Sequence, residues 1–216
     1  EGKLSGQGKL YKEGKLYYEG SFSEGMLGGS GKLTDSDADF IYEGNFKYND
    51  IDMENLFAIS TEEIYPLFTK GLEEIDKEDH FYLYNKKQGI VLDVLFAKED
   101  VPSKLSVVYR LPVQSMVKEI KGKQNILPYP YTYKNKSEVP IPNEIKKLLN
   151  LSSGKVICHQ LKVDGMLVNY WVEEKTGKVE LIGYISDLES QTDESSKSDQ
   201  AEPEEIEELL KALGIE

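Results

Sequence analysis

The chain has very little of the chemistry on which most enzyme and metal sites depend. Its 216 residues include one cysteine, Cys158, and two histidines. One cysteine excludes an intrachain disulfide, and so few sulfur and nitrogen ligands exclude most zinc sites unless carboxylates dominate them. The sequence also contains no Gly-x-Ser-x-Gly and no His-Glu-x-x-His motif. We therefore expect no catalytic residue, no cofactor and no metal, and a protein that is not an enzyme.

Positive charge is also scarce. The chain has 26 Lys and Arg against 39 Asp and Glu, a net charge of −13. Residues 186–216 carry eleven of the acidic residues and two of the basic ones. No basic stripe exists to follow a phosphate backbone, which argues against a nucleic-acid partner and against simple attraction to anionic lipid. No apolar run approaches the roughly 20 residues of a membrane helix.

Glycines and aromatic residues, in contrast, recur regularly near the N-terminus. Residues 24–33 read EGMLGGSGKL and align with EGKLSGQGKL at residues 1–10. The pentapeptide YEGSF at residues 18–22 recurs as YEGNF at residues 42–46. Each unit predicts a short aromatic strand, a glycine turn and a second strand that ends in leucine. The pattern begins in the middle of a unit, from which we expect further sequence upstream, either more repeats or a removed anchor.

These units resemble the MORN (membrane occupation and recognition nexus) repeat family over residues 1–50. The resemblance implies stacked β-hairpins whose glycines and aromatics shape and fill the stack, with a ligand-reading role for the aromatics as the alternative. The residues that match the repeat pattern are Gly2, Gly6, Gly8, Leu10, Tyr18, Gly20, Phe22, Gly25, Gly29, Gly31, Leu33, Tyr42, Gly44 and Phe46.

The middle of the chain predicts a helix followed by antiparallel strands. Ser60 and the acids after it start a helix over about residues 61–76, whose apolar residues recur at helical spacing. Strands are expected at 81–84, 90–96 and 105–113, and a meander at 155–163, 166–174 and 178–185. A short helix capped by Asn143 is expected before the meander, and residues 46–59 are expected to be a solvated connection.

Single residues in this region carry little chemistry. His80 is expected at the surface, and Trp171 as a core anchor. Cys158 and His159 are neighbours in a strand, so their side chains point to opposite faces and cannot form a catalytic pair.

Two further segments are candidates for partner binding. Residues 114–143 are rich in proline and tyrosine and predict either an exposed polyproline-like surface or a loop packed over the core. Residues 187–202 read as an acidic flexible linker, and residues 203–214 as a short amphipathic helix. That helix could dock on its own chain, dock on a partner, or stay disordered. The candidate residues are Tyr129, Tyr131, Tyr133, Ile206, Leu209, Leu210 and Leu213.

The fold expected is therefore β-rich α+β. A MORN-like hairpin array at residues 1–50 precedes a helix-plus-antiparallel-sheet domain at 51–186. The function expected is a non-catalytic interaction or scaffold module that presents aromatics to a protein partner or self-associates. A bacterial cell-envelope or extracellular setting is favoured over a cytoplasmic one, with membrane association only through a removed N-terminal anchor. The alternatives are a lipid-apposed binding protein and a carboxylate-based hydrolase acting on carbohydrate or peptide.

Overall fold

The computed structural model describes residues 2–77, 80–95, 104–113, 136–137, 139–152, 154–163 and 165–186. Within these ranges the chain forms two antiparallel sheets and three short α-helices, which confirms a β-rich α+β fold. The acidic linker and the helix expected at 203–214 lie outside the described residues. So do the candidate partner residues Tyr129, Tyr131, Tyr133, Ile206, Leu209, Leu210 and Leu213.

The first sheet contains the repeats and has five strands in chain order. Each strand pairs antiparallel with the next one along the chain, so the sheet is a simple meander. The strands are β1 (Gly6–Lys12), β2 (Lys15–Ser23), β3 (Met26–Asp35), β4 (Phe40–Lys47) and β5 (Asp50–Ile51).

Two-residue turns with positive φ connect the strands of three hairpins in this sheet. The Glu13-Gly14 turn has φ values of 51° and 78°, and the Glu24-Gly25 turn has 51° and 83°. Tyr48 and Asn49 form the third turn at 54° and 67°. Positive φ at both positions is typical of a type I′ turn, whose twist matches that of the paired strands. The pairs Glu13-Gly14 and Glu24-Gly25 are therefore hairpin turns, whereas Glu19-Gly20 and Glu43-Gly44 lie within β2 and β4.

A ladder of glycines crosses the sheet. Gly8 pairs with Gly20, Gly20 with Gly31, and Gly31 with Gly44, so four adjacent strands have no side chain at one level. The ring of Tyr18 lies against Gly31, where an added Cβ would come within 2.6 Å of its Cζ. The ladder therefore makes the space that the tyrosine ring occupies.

The two complete aromatic motifs have the same local geometry. The Tyr18 hydroxyl donates to the carbonyl of Ser21 at 2.9 Å, and the Tyr42 hydroxyl donates to the carbonyl of Asn45 at 3.3 Å. In each motif the tyrosine makes an edge-on contact with the phenylalanine four residues later, at centroid distances of 5.4 and 5.3 Å. The repeat in sequence is thus also a repeat in three-dimensional contacts.

The connection after the array is ordered rather than solvated, which corrects the expectation for residues 46–59. It contains β5 and helix α1 (Met53–Ala58), and the Asp52 side chain accepts from the Asn55 amide at 3.2 Å as an N-cap. Leu56 is fully buried. Two acidic residues of this segment have structural roles, since Asp52 caps α1 and Asp50 is buried. The sequence alone does not distinguish such residues from acids that face solvent.

The helix expected over residues 61–76 is wrong beyond its first turns. Helix α2 (Thr61–Ile64) begins after Ser60, as expected, with a capping box between Ser60 and Glu63, and passes into a 3₁₀ turn, Tyr65–Leu67. Pro66 cannot donate to the helical ladder, and its ring blocks continuation. Strand β6 (Glu73–Asp76) occupies the remainder, so the apolar residues reach the core from three kinds of structure instead of one helical face.

The second sheet has eight strands in the order β10-β11-β12-β13-β9-β8-β7-β6. The expected hairpins and meander are confirmed, and β9 joins them by pairing with β13. Its strands after β6 are β7 (His80–Asn85), β8 (Ile90–Leu95), β9 (Lys104–Arg110), β10 (Lys136–Ser137), β11 (Val156–Val163), β12 (Met166–Glu173) and β13 (Val179–Ser186).

Helix α3 (Asn143–Leu149) covers one face of this sheet. Its position confirms the expected short helix, but Asn143 lies inside the helix and Pro142 is the N-cap, which corrects the predicted cap. Trp171 is buried on the same face and donates from Nε1 to the Val139 carbonyl at 3.0 Å. Trp171 is therefore a core anchor, as expected.

The opposite face of the second sheet packs against the first sheet. One cluster of buried residues contains Tyr42 and Phe46 of the array, Leu56 of α1, and Leu83 and Ile182 of the second sheet. The two sheets therefore share a hydrophobic core, and the predicted boundary after residue 50 falls inside β5.

A buried ion pair joins the two sheets. Arg110 of β9 donates from Nε and Nη2 to the two carboxylate oxygens of Asp50 in β5, both at 3.0 Å. Arg110 also donates to the backbone carbonyl and, at 3.0 Å, to the side-chain oxygen of Gln88. Burial alone would lower the pKa of Arg110, but the Asp50 carboxylate outweighs it and raises that pKa. The guanidinium is therefore charged and bidentate inside the fold.

Candidate functional site

The outer face of the array carries a row of alternating charge. Lys9, Glu19, Lys32 and Glu43 are opposite one another on four adjacent strands. Lys9 bonds Glu19 at 3.0 Å, and Lys32 bonds Glu43 at 3.1 Å. These side chains are about half exposed, so solvent screens each pair and it adds little to stability. The alternating charges have a larger effect on strand pairing, because they favour neighbouring strands of opposite charge at this position.

Strand β1 is the outer strand of this sheet. In the described part of the chain it pairs on one side only, with β2. Leu10 shows the effect, since it is 42% exposed whereas its repeat equivalent Leu33 is 5% exposed. Leu33 has a strand on either side, and Leu10 has one. At this edge, the backbone groups of β1 and the side chain of Leu10 are therefore accessible.

Exposed apolar side chains concentrate around this edge. We call β1 and these neighbouring side chains the array edge; the large exposed ones are Leu4, Leu10, Tyr11 and Leu16. The lysines on and beside β1 are paired with acids and do not form a basic patch. These pairs are Lys3 with Glu24, Lys9 with Glu19, and Lys12 and Lys15 with Asp37. The array edge is therefore amphipathic, and each of these four lysines lies close to a carboxylate.

A groove of about 500 Å³ lies at the end of the array where the β2–β3 and β4–β5 turns meet. Its apolar lining includes Met26, Phe46 and Tyr48, and Lys47 and Glu24 supply charge. The Lys47 ammonium lies 5.5 Å from the centre of the Tyr48 ring and bonds Glu54 at 2.7 Å. We call this surface the end groove. It is a second accessible surface of the array.

The repeat aromatics have no exposed side chain on either surface. Tyr18, Phe22, Tyr42 and Phe46 are all buried. Their burial agrees with the structural role that the resemblance implies, in which the aromatics fill the stack. The rings open to solvent on the array are Tyr11 and Tyr48 instead, and neither belongs to the repeat pattern.

Alkaline pH is expected to destabilise the protein through its buried tyrosines. Burial, reinforced by Asp52, raises the pKa of Tyr42 well above its ordinary value of 10.0. The unfolded chain therefore loses this proton near pH 10 while the folded chain keeps it, so stability falls as pH rises above 10. Tyr42→Phe should flatten that fall and cost about 1 kcal/mol at neutral pH through its lost hydrogen bond. Urea unfolding at pH 8 and pH 11 measures both effects.

The exposed Tyr11 supplies the matched control for this prediction. Tyr11→Phe should keep the wild-type loss of stability between the two pH values, because the side chain is solvated in both states. An unchanged slope in Tyr42→Phe would contradict the prediction. Part of the slope should remain in any single variant, since burial also raises the pKa values of Tyr18 and Tyr109.

His80 is bonded to a buried carboxylate, which corrects its expected surface position. Its Nδ1 lies 2.7 Å from Oδ1 of Asp93, and its ring stacks on Tyr82 at an interplanar angle of 4°. Burial raises the pKa of the nearby Tyr109 phenol, and the Asp93 charge raises it further. A carboxylate at Nδ1 fixes the orientation of an imidazole, so Asp93 holds the His80 ring in place.

Cys158 and His159 form no such pair. They are consecutive residues of β11, and both are buried. Cys158 belongs to the cluster beneath α3, which also contains Trp171. Because neighbouring strand residues point to opposite faces, His159 faces the other side of the sheet.

Compared with known proteins, the chain matches no family model, no curated protein and no solved structure. Membership of the MORN family therefore stays a prediction based on the residues of the array. Among the described residues, no helix is both long and apolar enough to cross a membrane. No three His, Cys, Asp or Glu side chains in those residues are grouped as a metal site.

Proposed function

We propose that this protein is a non-catalytic interaction module whose MORN-like array binds another protein through its open edge strand. The single observation that carries this proposal is the exposure of Leu10 on β1, at a position where its repeat equivalent Leu33 is buried. Leu10 occupies a position whose side chain faces inward in the next repeat, but it is half-exposed on a strand that pairs on one side only. Such an arrangement is typical of a surface that an additional strand covers.

The remainder of the array supports binding at this edge. The strand order is a meander, so β1 is held rigidly by β2, and β2 by β3. An edge held in this way loses little conformational entropy when a partner strand pairs with it. Leu4, Tyr11 and Leu16 add apolar area next to it, which gives the surface more to bury than backbone groups alone.

Site-specific photocross-linking tests this function. A photoreactive residue at position 11 should capture a defined protein partner in the cells from which this chain comes. Capture should fall at least tenfold when Leu10→Ser is added, because that change removes apolar contact and leaves an exposed position exposed. A photoreactive residue at position 65 is the control, since Tyr65 is also an exposed tyrosine, at 39% against 59% for Tyr11, but lies on the 3₁₀ turn. Equal capture from both positions would contradict the proposal.

A lipid-apposed role is the second candidate, and the mixture of exposed leucines and lysines at the array edge favours it. Interfacial binding needs apolar side chains flanked by cations that are free to meet anionic headgroups. The edge lysines are engaged with acids, which weakens that attraction. Co-sedimentation with phosphatidylserine vesicles tests it, and absence of binding at low salt would remove it. Hydrolase activity and a cell-envelope setting stay predictions.

A further inference from the structure

The residues of the end groove depart from the repeat to which they belong. Three residues differ between EGKLSGQGKL at 1–10 and EGMLGGSGKL at 24–33, and four differ between YEGSFSEG at 18–25 and YEGNFKYN at 42–49. The changed residues that line the end groove are Met26, Gly28, Lys47 and Tyr48. Their equivalents in the preceding unit are Lys3, Ser5, Ser23 and Glu24. More than half of the variation between the units therefore falls on one surface.

The hairpin itself does not need these changes. The Glu24-Gly25 turn has φ values of 51° and 83°, and the Tyr48-Asn49 turn has 54° and 67°. The Gly25 amide donates to the Leu4 carbonyl at 2.8 Å, and the Asn49 amide donates to the equivalent carbonyl of Leu27 at 3.3 Å. Both units thus make the same turn and the same backbone hydrogen bond. Because either set of residues folds into this hairpin, the changes alter its surface.

The changes make that surface more apolar. The equivalent of a lysine is Met26, and the equivalent of a glutamate is Tyr48, which is 37% exposed. The terminal units of a repeat array usually differ from the others by a more polar outer face, which keeps the array soluble. Here two charged residues are replaced by apolar ones where the array ends. Capping of the array does not explain this direction of change, whereas a binding surface does.

The charged side chains beside the end groove already have partners. Lys47 donates to both carboxylate oxygens of Glu54, at 2.7 and 2.8 Å. Glu24 accepts from the Lys3 ammonium at 3.4 Å. A charged ligand would compete with these partners, whereas an uncharged one would leave them in place. The lining therefore favours a neutral occupant.

The apolar part of the lining favours a flat ring. Gly28 and Gly29 leave part of the groove without side chains, so a planar group can approach the backbone of β3 closely. Met26 supplies a flexible thioether, which makes favourable contacts with aromatic rings. Tyr48 supplies a ring against which another ring can pack. The volume of about 500 Å³ is typical of a ligand-binding cleft.

We propose that the end groove binds an uncharged aromatic side chain of a partner polypeptide. Met26 and Lys47 are only half-buried and Tyr48 is exposed, so the groove is open to solvent on this side. Small-molecule sites enclose most of their ligand, whereas a side chain can enter an open groove from a backbone that stays outside. No residue of β1 lines the end groove, so this inference does not rest on binding at the array edge.

Two capped peptides are the probes, acetyl-Gly-Trp-Gly-amide and acetyl-Gly-Leu-Gly-amide. Added to the isotope-labelled full chain, the tryptophan peptide should shift the backbone NMR signals of residues 26–29 and saturate. It should bind about threefold or more tightly than the leucine peptide, since ring contacts add to the area buried. Equal affinity of the two peptides would overturn the inference. So would shifts caused by N-acetyltryptophanamide but not by the tryptophan peptide, because the occupant would then be a small molecule.

The preceding unit supplies the variants. Met26→Lys combined with Tyr48→Glu restores its residues at two positions and should weaken binding of the tryptophan peptide about tenfold or more. Ser30→Gln is the matched control, because it restores the residue of the preceding unit on β3 outside the lining. It should leave binding unchanged. Urea unfolding shows whether each variant is folded, and Gly28→Ser, which narrows the groove, replaces the double variant if that one is not.

Several results would contradict binding in the end groove. They are undiminished binding to the folded double variant or to Gly28→Ser, and peptide shifts confined to Gly6–Lys12. Concentration-dependent dimerisation that displaces the peptide would also overturn the inference, because a second copy of the chain would then be the occupant. None of these results bears on capture at position 11, and loss of that capture would leave the peptide result unaffected.

Discussion

Replacing Gly20 by alanine should destabilise the protein by about 3 kcal/mol or more, a large fraction of the roughly 5–15 kcal/mol that keeps a typical domain folded. A Cβ at this position would come within 2.7 Å of the carbonyl oxygen of Ser30 and closer still to the Cα of Gly31. Both obstacles are backbone atoms of β3, so they cannot rotate away as a side chain could. The two strands would have to separate at the centre of the array. Urea unfolding followed by circular dichroism measures the loss.

Gly28 is the matched control, because it lies on β3 in the same array but outside the repeat register. A Cβ there would make an ordinary 3.4 Å contact with Ser23. Gly28→Ala should therefore change stability by no more than about 0.5 kcal/mol. If Gly28→Ala costs as much as Gly20→Ala, the penalty arises from strand glycines in general and not from the ladder.

Gly31 offers a further test of the same geometry. The nearest atoms to a Cβ at Gly31 all belong to the Tyr18 side chain. Tyr18→Val should therefore rescue part of the loss caused by Gly31→Ala, and the double-mutant cycle should show a coupling of about 1–3 kcal/mol. The same substitution should rescue Gly20→Ala far less, since backbone atoms would still obstruct the added methyl group.

Removing the charge of Arg110 is the second change with a large expected effect. Arg110→Met should cost about 3–5 kcal/mol, because it leaves the Asp50 carboxylate buried without its cation. Asp50 is 5% exposed and Arg110 is 3% exposed, so neither group can recover its hydration without opening the contact between the sheets. Gln88 would also lose the donors that its carbonyl and side chain accept from. The free energy of unfolding in urea reports this loss.

The double variant Arg110→Met with Asp50→Leu is the matched control. Both charges are then absent, and replacing a whole buried pair by apolar groups is often neutral or stabilising. The double variant should recover most of the stability that Arg110→Met loses. If it stays as unstable as the single variant, shape and packing at this position matter more than the unpaired charge.

Sequence reasoning locates the elements that depend on neighbouring residues. The Asp164-Gly165 pair correctly predicts the β11–β12 hairpin, and the glycine turn expected within the repeat unit forms at Glu24-Gly25. The helix start predicted from Ser60 and the acids after it also forms. In each case the atoms that interact lie within a few residues, so the local pattern contains the whole of the interaction.

Features that depend on distant residues are missed. Nothing near Asp50 indicates that Arg110 will neutralise it, and nothing near His80 points to Asp93 on the next strand. Likewise, the apolar residues expected on one helix face after Ser60 meet the core from a helix, a 3₁₀ turn and a strand. Periodicity records which residues are apolar, and the position of the core decides which structure brings them to it.

The sequence provided part of the information that locates the candidate site. The alignment of residues 1–10 with 24–33 already pairs Leu10 with Leu33, and Lys9 with Lys32. Whether a repeat residue is covered or open depends on which strands flank it, and only the register of the sheet provides that information. The end groove was not predicted, because the residues that line it come together only where two turns and the strands beside them meet.

The different connectivity of the two sheets has a kinetic consequence. Every strand pair in the array joins neighbours in the chain, so each hairpin can form by closing a two-residue or similarly short loop. The second sheet is complete only when β13 pairs with β9, across the segment that contains β10, β11 and β12. We therefore expect the array to form early and the β9–β13 seam to form last. In pulsed hydrogen exchange, the amides of β3 should gain protection before those of Val107–Arg110.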